Sequence, residues 1–205
     1  MKYFIKGLFL FLAFSVTSAK LFSQLNSKNQ KRLFIDIHRL PEGKANFKEV
    51  AAAHLKDLNV EGKHDVEFIK FWVNEKDGIV YCLSYAPDSN AIIATHQEAH
   101  GLIPAEILEV KDGIDGVVKN YVHYYLDVHE MGAGSITLND MAKAHQKDLK
   151  VQYNYGVNFI NYWVDEKRGV IICLSQAPNA ASVLKTHQEA HGLIPVSIES
   201  VIQGQ

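Results

Sequence analysis

Eight of the ten histidines in this chain pair across an offset of 91 positions: His38 with His129, His54 with His145, His96 with His187 and His100 with His191. His96 and His100 stand four apart in a helical stretch, which puts both imidazoles on one side, one turn apart. That spacing suits two metal-ligating histidines on a helix. His187 and His191 repeat it. A structural role fits the same residues: His100 precedes Gly101 and can bond the helix's last carbonyls, while His96 borders Ile92 and Ala99. Asp36 and His38 alternate with Ile35 and Ile37, so on a strand they share one face, as do Asp127 and His129. They fit two metal ligands, a carboxylate orienting an imidazole, or a wet strand face. An ionised Asp on a central strand is costly unless paired, which favours a functional role. His54 falls on the buried stripe of another helix, with Asp57 one turn on, as ligand or as core residue. The expected metal donors are therefore Asp36, His38, His54, His96 and His100, with Asp127, His129, His145, His187 and His191.

The offset belongs to the whole chain. Residues 33–110 align with 124–201 without a gap, with 35 identities in 78 positions. The longest identical block runs from Thr95 to Pro104 and again from Thr186 to Pro195. Chance does not supply this, so the chain holds two copies of one unit. Surface positions have drifted between the copies, as Lys63/Asn154 and Asp77/Arg168 show. His64 faces Tyr155 and His123 faces Arg32, so these two histidines are unpaired.

Each copy reads in the same order. Residues 33–38 form a strand. Asn46 opens a helix with Glu49 as capping-box partner, as Thr137 does with Asp140. Phe47, Val50, Ala51, His54 and Leu58 give that helix a buried stripe. Residues 66–73 and 79–84 are strands joined by a loop ending at Gly78. Pro87-Asp88 starts a second helix, Gly101 stops it, and 105–110 is a last strand. The order β-α-β-β-α-β is the ferredoxin-like arrangement. The expected fold class is α+β: two tandem ferredoxin-like domains, each an antiparallel sheet with both helices on one face. The bare faces cover each other, an internal pseudo-dimer in a monomeric chain. Periodicity leaves open whether Asp36 and His38 point at the helices or at the bare face.

The expected domains are 33–110 and 124–201, with 111–123 as linker and 20–32 as a polar lead-in. Ahead of these, Lys2 and Lys6, the apolar run from Gly7 to Phe14 and the small residues Thr17-Ser18-Ala19 have the layout of a secretory signal peptide. Cleavage after Ala19 and export to a periplasm or the medium are expected. The apolar run is shorter than the roughly 20 residues of a bilayer span, so no stable membrane insertion is expected. With 23 acidic and 21 basic residues the formal charge is −2, which argues against a nucleic-acid partner. Cys82 and Cys173 are too few for a disulfide framework and read as buried thiols, with a mutual disulfide as the other possibility in an exported protein. Trp72 and Trp163 read as core.

Asp36-x-His38, Ala53-His54 with Asp57-Leu58, Phe71-Trp72-Val73, Cys82-Leu83, Ala86-Pro87 and His96-x-x-Ala99-His100-Gly101-Leu102 resemble a bacterial family of small ferredoxin-like domains whose described member type is nickel-binding and nickel-responsive. The resemblance covers both copies. It implies a metal partner and a fold that pairs two such domains; family members are usually single domains that dimerise, and this chain fuses two behind an export signal. Neutral imidazoles with Asp suit nickel, zinc, copper or cobalt, and affinity order alone favours copper over nickel. Two further functions are open. One is a cofactor-free oxygenase or isomerase using an Asp–His pair in a cavity lined by Asp36, His38 and Trp72. The other is a ligand-free interaction module whose histidines only cap and pack, bonded to main-chain carbonyls.

Overall fold

The computed structural model describes residues 30–113, 116–119 and 123–205. The expected signal peptide, almost all of the lead-in and part of the linker lie outside the described residues. Residues Arg32–Gln205 form one compact unit. Its elements are β1 (Arg32–Arg39), α1 (Phe47–Val60), β2 (Glu67–Asn74), β3 (Ile79–Ala86), α2 (Ser89–Ala99), β4 (Glu106–Asp112), β5 (Tyr124–Glu130), α3 (Leu138–Val151), β6 (Asn158–Asp165), β7 (Val170–Gln176), α4 (Ala180–Ala190) and β8 (Ser197–Gly204). The fold is mixed α/β with two tandem repeats, and each repeat has the β-α-β-β-α-β order.

The strands close into one barrel in the order β1-β3-β2-β8-β5-β7-β6-β4. Within a repeat every pairing is antiparallel, with β1 between β3 and β4, and β5 between β7 and β8. Two seams join the repeats: Phe71, Trp72 and Val73 pair with Gly204, Gln203 and Ile202, and Lys111 and Asp112 pair with Val164 and Trp163. β4 thus runs on into residues expected to be linker, because its extension supplies one of the seams. Closure leaves no free sheet edge.

Strand alternation decides what fills the barrel. Ile35 and Ile37 point inward and join Leu33, Trp72, Leu108, Leu126, Trp163 and Leu174 in a core drawn from both repeats. Trp72 and Trp163 meet there with ring centroids 5.3 Å apart. The alternate residues face outward, where the helices cover them. Cys82 packs there with Phe34, Phe71 and Ile92, and Cys173 packs in a separate cluster with Met141 and Tyr162. Both cysteines are free buried thiols.

The caps follow the sequence with one difference. Asn46 Oδ1 accepts from Lys48 N–H at 2.9 Å without the expected capping box to Glu49, and Phe47 N–H donates to Glu75 as Leu138 N–H does to Glu166. The full capping box forms in the second repeat, between Thr137 and Asp140. Leu58, expected in the buried stripe of α1, is 38% exposed, and the buried polar positions of that helix are His54 and Asp57. The helix face over β1 is polar because the strand face beneath it carries Asp36 and His38. α2 ends at Ala99 with His100 as its C-cap, and Gly101 follows at φ +78°, a left-handed conformation that favours glycine. Among the described residues no helix is long and apolar enough to cross a membrane.

Candidate metal centre

With Ile35 and Ile37 in the barrel, Asp36 and His38 lie under the helices. α1 lays His54 and Asp57 over them, and the last turn of α2 adds His96 and His100. In the first repeat His38 Nε2 lies 3.1 Å from Asp36 Oδ1, and His96 Nε2 lies 3.3 Å from the same oxygen. The other nitrogen of His96, Nδ1, is 2.9 Å from Asp57 Oδ1. His100 Nε2 is 3.2 Å from that oxygen and 3.3 Å from His96 Nδ1. The second repeat reproduces this: His129 Nε2 to Asp127 Oδ1 at 3.1 Å, His187 Nε2 to the same oxygen at 3.3 Å, His187 Nδ1 to Asp148 Oδ1 at 3.1 Å, and His191 Nε2 to Asp148 Oδ1 at 3.2 Å.

One ring therefore sits between two carboxylates in each repeat, and His96 is 1% exposed. A neutral imidazole donates from one nitrogen only, so two facing carboxylates favour the imidazolium. Burial pulls His96 down, but the carboxylates of Asp36 and Asp57 on either side outweigh it and push the ring up to about 9. The same balance lifts His187 to about 10. Burial pushes the Asp57 carboxyl up, yet His100 and His96 hold it down at about 2. Asp36, Asp127 and Asp148 are likewise held below the usual carboxylate range against burial by their histidine partners. Burial keeps His54 and His145 below the usual imidazole range.

The structure brings Asp36, His38, His96 and His100 together, and likewise Asp127, His129, His187 and His191. His54 and His145 line the same region but pack on aromatic rings: His54 is 4.7 Å from the Phe71 ring and His145 4.9 Å from that of Tyr162. Sequence reasoning missed Asp57 and Asp148 as donors. The offset that pairs the histidines pairs these aspartates too, and that identity is the signal that finds them. It also missed Cys173, which groups with Asp127 and His129. The unpaired His64 is explained by the surface: its Nε2 lies 2.8 Å from Glu98, and its counterpart Tyr155 donates to Glu189.

The donor set fits a cation. Asp36, His38 and His96 bring ligand atoms within 4.8 Å of one another, as do Asp57, His96 and His100, and Asp148, His187 and His191. Both Asp36 carboxylate oxygens and His96 Nε2 are buried without an aligned hydrogen bond, as are Asp127 Oδ2 and His187 Nε2. Native proteins leave few buried polar atoms in that state, and a bound ion is one explanation of them. A pocket of about 140 Å³ opens onto the first cluster and is lined by His38, His54, Asp57, His96 and His100. Trp72 faces the barrel interior, opposite Asp36 and His38, so these three line no common cavity. Among the described residues the clustered imidazoles meet carboxylates and one another, and their main-chain contacts are to N–H groups: His100 Nδ1 accepts from Leu102 N–H and His191 Nδ1 from Leu193 N–H, both at 3.1 Å.

Fold and site together define a tandem α/β barrel with a buried histidine–aspartate cluster in each repeat. The chain belongs to the family of nickel-responsive proteins described as SCO4226-like, whose sequence profile matches residues 34–110 and again 125–201. Among solved structures, SCO4226 from Streptomyces coelicolor A3(2) is 37% identical over 37% of this chain and 91% of its own, with a TM-score of 0.35. A monooxygenase-like protein from Lactobacillus acidophilus aligns over 84% of this chain and 94% of its own at 11% identity and TM-score 0.45. Chlorite dismutase from Candidatus Nitrospira defluvii aligns over 88% and 95% at 6% identity and TM-score 0.47. No curated protein matches the chain.

Proposed function

We propose that this protein binds a divalent cation of the nickel type, one cleft per repeat, between the outer sheet face and the helices. The donors are Asp36, His38, Asp57, His96 and His100, with Asp127, His129, Asp148, His187 and His191; His54 and His145 wall the clefts. A single observation carries this: the same five ligand-bearing side chains meet in both repeats and are identical across the 91-residue offset. Nitrogen and carboxylate donors suit a borderline ion. When bound, the ion supplies the positive charge that the imidazolium of His96 otherwise provides between the two carboxylates. Loading therefore exchanges a proton for a cation. Equilibrium dialysis against nickel(II) tests the proposal: uptake at pH 7.5 and release at pH 5.5 are expected, and stoichiometric uptake by a variant lacking His96, His100, His187 and His191 would rule it out.

A second outcome follows from His100. Its Nδ1 accepts from Leu102 N–H, so the neutral ring carries its proton on Nε2, toward Asp57. A metal on Nε2 places the proton on Nδ1, where it faces another donor. Leu102 N–H, and Leu193 N–H in the second repeat, then lose their acceptor. Faster amide exchange at both residues on nickel loading is expected; unchanged exchange would take His100 and His191 out of the ligand set.

We further propose that residues 1–19 direct export and are removed, and that 33–110 and 124–201 are the repeats joined by 111–123. The basic Lys2 and Lys6, the apolar run and the small residues before Lys20 support this. A mature chain starting at Lys20 outside the cytoplasm is expected; an intact Met1 terminus on the cytoplasmic protein would contradict it.

A further inference from the structure

The two clefts differ in their sulfur. Apart from Met1 the chain has two methionines, Met131 and Met141, and both pack in the second repeat's buried cluster around Cys173. The 91-residue register sets them opposite Leu40 and Val50, two apolar residues that line the first repeat's pocket. Met141 is 2% exposed and packs with Cys173 and Tyr162, and Met131 packs against that group. Asp127, His129 and Cys173 bring one ligand atom each within 4.8 Å of one another. His129, 3% exposed, keeps Nδ1 without a hydrogen-bond partner, and so does Asp127 Oδ2. A buried free thiol thus stands beside a buried imidazole that keeps one nitrogen unpartnered, with two thioethers packed in the same cluster. The first repeat offers Cys82 but no thioether.

We propose that the second repeat, besides the divalent ion that either cleft takes, offers a soft-cation centre for monovalent copper, held by Cys173, His129 and the thioethers of Met131 and Met141. This rests on the clefts being metal centres, as proposed above. Thiolate and thioether donors select Cu(I), whereas imidazole with carboxylate serves divalent ions. No redox step is involved: the S–H bond of Cys173 breaks, an S–Cu bond forms, and the proton leaves to solvent. Low coordination numbers suit Cu(I), so one thiolate, one imidazole and a thioether suffice without the carboxylate of Asp127.

The test is anaerobic titration of the purified chain with Cu(I) in competition with a chromophoric Cu(I) chelator, beside nickel dialysis on the same samples. Two variants are compared with the parent: C173S, and M131L/M141V, which installs at each position the residue that the first repeat already packs there. We expect C173S and M131L/M141V each to weaken Cu(I) about tenfold or more, the scale of losing a metal-site group, with nickel uptake by M131L/M141V unchanged. Parent-like Cu(I) affinity in either variant overturns the proposal and leaves the methionines as core filling. Loss of nickel uptake by the parent, with Cu(I) behaving as expected, would instead overturn the divalent reading alone.

Discussion

Replacing His96 and His187 together by alanine is expected to abolish nickel uptake and to destabilise the fold by about 3–5 kcal/mol per cluster, the cost of breaking a buried ion pair by removing one partner. Each ring stands between two carboxylates, and Asp36 and Asp127 are both 0% exposed. Without the ring, Asp36 keeps His38 as its ion-pair partner and Asp57 keeps His100. Such a loss is large against the roughly 5–15 kcal/mol that holds a domain together. The single variants separate binding from folding: His96→Ala should empty the first cleft and leave uptake by the second. His64→Ala, at an exposed pair with Glu98, should change stability by less than about 0.5 kcal/mol. Urea unfolding with nickel dialysis on the same samples reads both effects. Parent-like stability and uptake in the double variant would mean that the rings are neither ion pairs nor ligands.

The second large effect is on pH. His96 at about 9 and His187 at about 10 lie above the unfolded imidazole value of about 6.5. The stability they contribute, on the order of 3 kcal/mol per cluster, is fully present below pH 6.5 and is lost as pH rises through 9 to 10. His54 and His145 are held below their usual range by burial, so their contribution runs the other way and falls as pH drops below 6.5. Asp57, held at about 2, contributes above the unfolded value of about 3.8 and loses that only in strong acid. The metal-free protein should therefore be most stable near pH 6–7. Metal affinity should trend oppositely above that, strengthening toward pH 9 as the competing imidazolium protons leave. Thermal unfolding across pH 5 to 10, with and without nickel, checks both slopes. A metal-free protein that grows more stable from pH 7 to 10 would contradict the imidazolium at the centre of each cluster.

Much of this architecture is legible in the residues, for identifiable reasons. The offset and the ten-residue identical block give the tandem repeat, and the β-α-β-β-α-β order follows from period changes and from caps such as Asn46, Thr137 and Asp88. The face taken by Asp36 and His38 is not legible, because a period of two fixes which residues share a face and not where that face points. The barrel settles it: Ile35 and Ile37 join a core shared by both repeats, which forces the aspartate and histidine under the helices. Asp57 escapes the apolar pattern for a similar reason. A buried aspartate satisfied by histidines from another helix has the same local sequence as a solvated one, and only its identity with Asp148 distinguishes it. Leu58 misleads in the opposite direction, since helical spacing assigns it to the stripe that Asp57 occupies.

The central claim is that the two histidine–aspartate clusters hold the cation. Anomalous X-ray scattering at the nickel edge, on crystals grown with nickel(II) near pH 7.5, tests this most directly. Anomalous peaks beside the His96 and His187 rings, between helices and sheet, are the predicted result; nickel found only on surface residues such as His64, with both rings still paired to their carboxylates, would contradict it.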